Sequence, residues 1–210
     1  MRRSKPLKQL VSQIFQIKKP HPTRVAIDGP DAAGKTTIAD ELAKLLQPKG
    51  RHIIRASIDG FHNPATVRYN RGRMSPEGYY YDSFNYDELI NVLLLPLGPD
   101  GSLQYRTATF DYRTDSPLQT LPQLAAPGSI LLFDGVFLLR PELAQHWDFT
   151  IFLDAAFDVT LTRAEQRDAL LSGGVDEVRR RYEQRYVPGQ KLYFDKSRPR
   201  ERANVVIDNN

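Results

Sequence analysis

The chain has 210 residues, of which 40% are hydrophobic and 26% charged, with a formal net charge of +4 and no cysteine. This size and composition are typical of one globular domain, so we expect a single domain over residues 1–210. Disulfides and thiolate metal sites are excluded. Because no apolar run approaches the roughly 20 residues of a membrane span, we expect a cytoplasmic protein with no membrane partner.

The leading segment, residues 1–20, has a helical apolar pattern. Leu10, Val11 and Ile14 recur at intervals of three and four residues, which predicts an amphipathic helix that packs onto the domain. The basic residues Arg2 and Arg3 precede this pattern. A weak targeting or membrane-surface role is the alternative interpretation.

A glycine-rich motif of the form G-x-x-x-x-G-K-[ST] follows the apolar strand predicted at residues 24–28. The candidate nucleotide-binding residues are Gly29, Pro30, Asp31, Ala32, Ala33, Gly34, Lys35, Thr36 and Thr37. Such a loop turns its backbone N–H groups toward a phosphate, and glycine is needed where a Cβ would block that turn. We expect Lys35 to contact the β- and γ-phosphates of ATP and Thr36 to ligate Mg²⁺. The alternative is a glycine-rich turn with a solvated lysine.

The next predicted elements are a helix over residues 34–46 and a strand over 52–59. A strand, helix, strand order predicts a parallel unit whose ligands gather beyond the strand ends. Asp59 closes the second strand, so its carboxylate is a candidate catalytic base and a candidate Mg²⁺ ligand. A helix or turn cap is the alternative role for Asp59.

Residues 60–86 are too polar and too rich in turn residues to predict regular core structure, and we interpret them as an acceptor-side insert. The interleaved arginines and tyrosines, Tyr79 among them, suit a flat ring with anionic oxygens or a single nucleic-acid strand. They also suit a small core of the loop itself. Residues 100–118 form a second insert, in which a strand or hairpin at 103–112 leads to Tyr112 and Arg113.

Two further buried strands are predicted, at residues 129–134 and 149–154. Asp134 ends the first of them, where a carboxylate commonly holds Mg²⁺ through water. A helix over 157–170 carries Arg163 and Arg167 four residues apart, which predicts a catalytic lid at residues 160–190 closing over the γ-phosphate. An ordinary solvated helix face is the alternative.

These elements predict an α/β fold, a three-layer α/β/α P-loop NTPase fold with a mostly parallel sheet. A substrate-binding insert and a helical lid complete it. The modest surplus of positive charge suits a nucleotide and does not require a nucleic-acid partner, which we do not expect.

With these residues placed, the sequence resembles the uridine kinase and phosphoribulokinase family, with some features of bacterial pantothenate kinases. The likeness runs from Arg24 to Asp208. It is carried by the phosphate loop and by Asp59-Gly60-Phe61-His62, Asp82-Ser83-Phe84, Phe110-Asp111-Tyr112, Asp134-Gly135 and the segment Arg163 to Asp168. The resemblance implies that Asp59 activates an acceptor hydroxyl, that the ribose lies near Asp82, and that the lid arginines contact the phosphates.

The residues and the resemblance together predict an ATP-dependent kinase that uses Mg²⁺. The predicted acceptor is a small molecule with a hydroxyl, most closely the 5′-hydroxyl of uridine or cytidine. Predicted acceptor contacts are Phe61, His62, Tyr79, Asp82, Phe110, Tyr112 and Arg113. Pantothenate or a sugar is the alternative acceptor, a regulatory or nucleic-acid-associated NTPase is the alternative class, and a homo-oligomer is left open.

Overall fold

The computed structural model describes residues 4–170 and 173–210. The start of the predicted leading segment, residues 1–3, and residues 171 and 172 of the predicted lid lie outside the described residues. The strands are β1 Thr23–Asp28, β2 Ile53–Ser57, β3 Gln104–Tyr105, β4 Phe110–Asp111, β5 Ser116–Pro117, β6 Gln123–Leu124, β7 Ile130–Asp134, β8 Phe149–Asp154 and β9 Val205–Asp208.

The first helix precedes β1, and the others lie between the strands. They are α1 Ser4–Gln16, α2 Lys35–Leu46, α3 Ala65–Arg68, α4 Pro76–Asp82, α5 Tyr86–Leu89, α6 Pro141–Ala144, α7 Phe157–Asp168, α8 Val175–Arg181, α9 Val187–Ser197 and α10 Pro199–Arg202. A 3₁₀ turn at Ile58–Phe61 follows β2, and π-helical turns at Ile90–Leu94 and Tyr182–Tyr186 follow α5 and α8. In the described parts of the chain, no helix is both long enough and apolar enough to cross a bilayer.

A five-stranded sheet in the order β2-β7-β1-β8-β9 occupies the centre of the fold. All four of its strand pairs are parallel. Because alternate residues of a strand face opposite sides, Val25 and Ile27 pack with α1 and α2, while Ala26 packs on the other face. Helices therefore cover both faces, and the α/β three-layer P-loop fold is confirmed.

The parallel arrangement brings three strand ends to one edge of the sheet. The register pairs Asp134 at the end of β7 with Ile27 of β1 on one side and with Ser57 of β2 on the other. Ligands of such sheets bind beyond the carboxyl ends of the strands. The glycine-rich loop after β1 and the turn after β2 therefore flank Asp134.

Residues 60–86 are more ordered than the sequence suggests. They contain helices α3 and α4, and the α4 side chains Tyr79 and Tyr80 are buried, with 6% and 3% of their surface exposed. Both belong to the main core on one face of the sheet. The expectation of irregular structure was wrong because aromatic side chains from this insert fill the space over the sheet.

Two further boundaries differ from the predicted ones. The strand predicted at 52–59 ends at Ser57, whose side-chain oxygen accepts a hydrogen bond from the Asp59 amide at 3.4 Å and turns the chain. The strand or hairpin predicted at 103–112 is split into two short antiparallel ribbons, β3 with β6 and β4 with β5. Asp59 therefore lies in a turn just beyond the sheet edge.

Candidate active site

The glycine-rich loop between β1 and α2 depends on two glycines. Gly29 has a φ of +149°, and a Cβ there would lie 2.5 Å from the backbone oxygen of Leu153 in β8. Gly34 precedes α2 with a left-handed φ of +88°, which other residues adopt only at a cost. The loop consequently packs close to β8 and delivers its backbone to the N-terminus of α2, where the helix dipole favours an anion.

Lys35, the first residue of α2, lies across the loop. Its Nζ donates a hydrogen bond to the Pro30 carbonyl at 2.6 Å. Burial lowers the pKa of Lys35, and the nearby carboxylates of Asp31 and Asp28 oppose that shift. The ammonium group is therefore held at the loop among acidic neighbours, where it can neutralise a phosphate.

Asp134 is fixed from two sides. Thr36 Oγ1 donates to its Oδ2 at 2.7 Å, and Arg55 Nη2 donates to its Oδ1 at 2.9 Å. Arg55 lies in the neighbouring strand β2 and also bonds Asp40 through Nε at 3.1 Å and Nη2 at 3.0 Å. The hydroxyl and the carboxylate expected near Mg²⁺ thus lie in direct contact.

The oxygen atoms around Asp134 fit a magnesium ion. Thr36, Asp134 and the nearby Asp59 supply hydroxyl and carboxylate oxygens, which this hard cation prefers. Among the described residues, no group of three or more histidine, cysteine, aspartate or glutamate side chains is arranged to hold a metal on its own. Magnesium commonly uses one or two carboxylates and completes its shell with water and substrate phosphates, which agrees with this sparse set.

Asp59 lines a cavity of about 260 Å³ together with Lys35, Thr36 and Asp134. We call it the central cavity. Burial raises the pKa of Asp59; the Asp31 carboxylate raises it further and Lys35 lowers it. Within the described chain, no protein group donates a hydrogen bond to its carboxylate, so both oxygens are available to a ligand. A free carboxylate with a raised pKa is well suited to accept a proton.

Three aromatic side chains pack against one another in tilted arrangements along the wall of the central cavity, with His62 in the middle. The His62 ring lies 4.6 Å from that of Phe84 and 4.7 Å from that of Tyr112, between ring centroids, and all three line the cavity. Burial lowers the pKa of His62 to about 4, so the ring is neutral near pH 7. Its Nδ1 lies 3.0 Å from the Asp59 carbonyl. A carbonyl can only accept, which assigns the proton to Nδ1 and leaves Nε2 as an acceptor.

Arg163 and Arg167 of α7 lie near the loop, and Arg167 also lines the central cavity. They line a second cavity of about 370 Å³ together with Ala32, Gly34, Lys35, Thr36 and Thr37, which we call the loop cavity. Arg163 Nη1 donates to the Asn209 carbonyl at 2.9 Å. Both the Nε and Nη2 atoms of Arg167 bond Asp168 at 2.7 Å. The two arginines predicted as lid residues are therefore next to the predicted phosphate site.

Four predicted acceptor contacts do not line the central cavity. Phe61 is fully buried against Phe133, with ring centroids 6.2 Å apart, and Phe110 is buried where β4 pairs with β5. Asp82 accepts a hydrogen bond from Arg71 Nε at 2.8 Å. Arg113 is exposed, with its guanidinium carbon 5.6 Å from the Tyr112 ring centroid. The first two fill core space, and the third is occupied by an ion pair.

The structure also brings in residues that the sequence did not single out. Tyr182 and Tyr186 line the central cavity, and their i, i+4 spacing in the arginine-rich region was a signal for a shared helix face. Arg55 behind Asp134 carried no such signal, because its role depends on the pairing of β2 with β7.

Comparison with known proteins gives a consistent result. Residues 25–206 match the profile of the phosphoribulokinase / uridine kinase family. The chain is 28% identical over 196 residues to uridine-cytidine kinase B of Dictyostelium discoideum, covering 89% of this chain and 78% of that protein. It is 23% identical over 188 residues to a uridine kinase of Leuconostoc citreum, covering 89% and 87%. A solved structure described as a possible uridine kinase from Bacillus stearothermophilus superposes with a TM-score of 0.78 at 23% identity, covering 99% of this chain and 100% of that one.

Proposed function

The chain belongs to the phosphoribulokinase and uridine kinase family, and we propose that it transfers the γ-phosphate of ATP to a hydroxyl of a small metabolite, most closely the 5′-hydroxyl of uridine or cytidine. Family membership makes it a P-loop kinase and hence a phosphotransferase, and implies the use of ATP and Mg²⁺. The identity of the acceptor is the part that we propose.

One observation carries this proposal. Lys35, Asp59 and Asp134, which come from three different segments of the chain, line one cavity. Phosphoryl transfer requires a cation at the phosphates, a carboxylate near the metal and a group that orients the acceptor hydroxyl. The central cavity contains a residue suited to each of these tasks.

In the proposed mechanism Asp59 orients the acceptor hydroxyl and receives its proton as the oxygen attacks the γ-phosphorus. Its carboxylate is suited to this because no described protein group donates to it and because burial raises its pKa. The proton therefore passes from the acceptor oxygen to a carboxylate oxygen while the bond to the β–γ bridging oxygen of ATP breaks. Positioning and charge neutralisation supply most of the rate in this chemistry.

The remaining roles concern the triphosphate. The loop amides and Lys35 hold the β- and γ-phosphates, and Thr36 and Asp134, with Asp59, are the residues that would hold Mg²⁺, which neutralises charge that develops on the phosphates. Arg163 and Arg167 line the adjoining loop cavity, and Arg167 exchanges Asp168 for phosphate oxygens when the predicted lid closes. Closure excludes water and so limits wasteful hydrolysis of ATP.

The aromatic wall of the central cavity supports a nucleoside over a non-aromatic acceptor. The rings of Phe84 and Tyr112 lie 4.6 and 4.7 Å from the His62 ring, between centroids, and aromatic faces bind flat rings by stacking. The neutral His62 presents Nε2 as an acceptor for an N–H or O–H group. Pantothenate has no ring, and sugars have no flat aromatic ring that could stack on this wall.

The proposal is tested by measuring ADP release from ATP with uridine, cytidine, pantothenate and ribulose 5-phosphate in turn. We expect little ADP without an acceptor and the highest kcat/KM with uridine or cytidine. Protein carrying Lys35→Ala, purified in parallel, controls for a contaminating kinase. ADP release that is independent of all acceptors, or that polynucleotide stimulates, would contradict the proposal and favour a regulatory or nucleic-acid-associated NTPase.

A further inference from the structure

Asp31 is an acidic residue inside the glycine-rich loop, and it lies on the side of the loop that faces away from the loop cavity. It lines the central cavity together with Asp59, His62 and Tyr112, whereas the loop cavity is lined by Gly34, Thr37 and Arg163. Its carboxylate is therefore placed on the acceptor side of the loop. Because a carboxylate repels phosphate oxygens, we do not expect Asp31 to bind the triphosphate, and its position suits a different ligand.

Protein donors fix one of the two carboxylate oxygens of Asp31. Oδ2 accepts hydrogen bonds from the Tyr79 hydroxyl at 2.5 Å and from Gln190 Nε2 at 3.2 Å. Gln190 also accepts a bond from the Asp31 amide through its Oε1 at 3.0 Å. Burial raises the pKa of Tyr79 well above its usual value, so its hydroxyl keeps its proton and donates. Oδ1 has no protein donor in the described ranges 4–170 and 173–210, and it remains available to a ligand.

The charges around the central cavity limit what this ligand can be. Four aspartates line it, Asp31, Asp59, Asp134 and Asp168, against the cations Lys35 and Arg167. Arg167 is already paired with Asp168, and His62 is neutral. Arg113 lies outside, exposed beside Tyr112. A carboxylate or phosphate on the acceptor would meet like charges here, while a hydroxyl can donate to a free carboxylate oxygen.

We propose that Asp31 binds a hydroxyl of the acceptor other than the one that is phosphorylated, and that with Asp59 it selects uncharged, hydroxyl-bearing acceptors over anionic ones. This inference rests on the proposed kinase function. Asp31 is a specificity-determining residue in this view, and Tyr79 and Gln190 are the side chains that position it. The competing interpretation is that Asp31 has only a structural role, in which its hydrogen bonds to Tyr79 and Gln190 hold the loop against helices α4 and α9.

The substitution Asp31→Asn separates the two interpretations. Two donors, Tyr79 and Gln190, converge on Oδ2. In the variant the side-chain amide oxygen at position 31 therefore occupies the Oδ2 position and keeps both hydrogen bonds. The NH₂ group then stands where Oδ1 was, and it cannot accept a hydrogen bond from a hydroxyl. A weaker affinity of the variant for the acceptor would therefore result from the lost contact with the acceptor hydroxyl and not from a change in the loop.

The kinetic test compares wild type and Asp31→Asn with uridine, 2′-deoxyuridine and 3′-deoxyuridine. We expect the variant to raise the KM for uridine by about 10- to 100-fold, the usual value of a hydrogen bond to a charged group, with the KM for ATP changed by less than about threefold. With wild type, the KM for one of the two deoxynucleosides should exceed the KM for uridine by the same factor that the substitution produces. With the variant, the KM for that deoxynucleoside should equal the KM for uridine, because the missing hydroxyl and the missing carboxylate oxygen belong to one contact. The preference of kcat/KM for uridine over ribulose 5-phosphate should also fall.

Gln190→Met is the matched control, since it removes both hydrogen bonds between Gln190 and Asp31 but keeps the two carboxylate oxygens of Asp31 and the Tyr79 bond that orients them. We expect Gln190→Met to leave the ratio of kcat/KM for uridine to kcat/KM for ribulose 5-phosphate unchanged. A fall in this ratio as large as that caused by Asp31→Asn would mean that the effect comes from the hydrogen bonds that hold the loop. Two results would overturn the inference and leave the kinase function standing. One is an unchanged KM for uridine in Asp31→Asn, and the other is a KM that rises both on removal of either hydroxyl and on substitution of Asp31, with the two effects adding. Wild-type protein that phosphorylates only anionic acceptors would also overturn the inference alone. Absence of acceptor-dependent ADP release with every compound would instead overturn the proposed function, and the inference with it.

Discussion

The loop cavity and the central cavity share Ala32, Lys35, Thr36 and Arg167, yet the chain builds them in different ways. Residues between Ala32 and Thr37, a single short segment, supply most of the loop cavity. The central cavity draws on β2, α4, the segment near Tyr112, β7 and the turn after α8. One is set by local backbone geometry, and the other exists only after distant segments have packed together.

This difference has a consequence for the chemistry that each cavity can perform. Backbone amides and a helix N-terminus bind any phosphate chain, so the loop cavity is general. The central cavity is specific, because its side chains can change without disturbing the loop. We therefore expect substitutions in the two cavities to separate into effects on ATP and effects on the acceptor, and the following predictions test that separation.

The largest expected effect is that of Asp59→Asn, on the central side. Loss of the proposed base should lower kcat by about 10²- to 10⁴-fold, while the affinity for ATP changes little. Because burial raises the pKa of Asp59 and only the ionised form accepts a proton, kcat/KM of wild type should fall as pH decreases through that raised pKa. This acid limb should lie above the pH at which an exposed aspartate titrates, about 3.9. Near-normal turnover by the variant would remove Asp59 from the role of base.

The next effect in size is that of Lys35→Ala, on the loop side. Removing the cation should lower kcat by about 10²- to 10³-fold and weaken ATP binding, because the γ-phosphate loses a charge-assisted bond. Fluorescence or calorimetric titration with ATP should show the weaker binding, whereas binding of uridine alone should be retained. Normal ATP affinity with lost uridine binding would reverse the assignment of the two cavities.

A smaller effect is expected for Arg55→Gln, which acts behind both cavities. Arg55 holds Asp134 at 2.9 Å, and loss of such an outer partner commonly weakens metal affinity by about 10- to 100-fold. The Mg²⁺ concentration that gives half-maximal ADP release should rise, with kcat at saturating Mg²⁺ reduced less. Asp40→Asn is the matched control, because it removes the other carboxylate bound to Arg55 and leaves Asp134 in place. Equal shifts for both variants would mean that Arg55 acts through Asp40.

The smallest effect is expected for His62→Gln, at the aromatic wall. The loss of one neutral hydrogen bond and part of a stacking surface should raise the KM for the acceptor by roughly 5- to 10-fold, with ATP unaffected. Since burial lowers the pKa of His62 to about 4, the ring does not change charge between pH 5 and 8. The wild-type KM for the acceptor should therefore be flat over that range, and a step near pH 6.5 would contradict the neutral ring.

The sequence was informative about the loop side for a physical reason. The conformation of residues 29–37 follows from glycines with positive φ and from the strand and helix on either side, all of which are local. The end of β7 was also predictable, because a short apolar run that stops at an aspartate is typical of the carboxyl end of a buried strand. The end of β2 was placed two residues too late, since β2 ends at Ser57. The convergence of Asp59 and Asp134 then followed from parallel pairing alone.

The acceptor side was harder to predict from the sequence, and the differences between the predicted contacts and the lining of the central cavity have one source. Phe61 and Phe110 were assigned to the acceptor because they belong to motifs that carry the family resemblance, but the structure buries both. A local pattern cannot tell which aromatic residues of an insert fill the core and which line a cavity, since that depends on which sheet face the insert covers. The same limit hid Tyr182 and Tyr186, which reach the central cavity from residues far along the chain.

The amino-acid sequence by itself therefore determined the phosphate loop, the parallel sheet and the carboxylates at its edge, because short-range backbone geometry and hydrophobic periodicity encode them. Only the tertiary structure decided that Arg55 holds Asp134, that Tyr79 and Gln190 turn Asp31 toward the acceptor side, and which aromatic rings form the wall. The hydrogen bonds among these contacts join residues 48 to 159 positions apart, and such long-range packing is fixed by the shape of the whole fold.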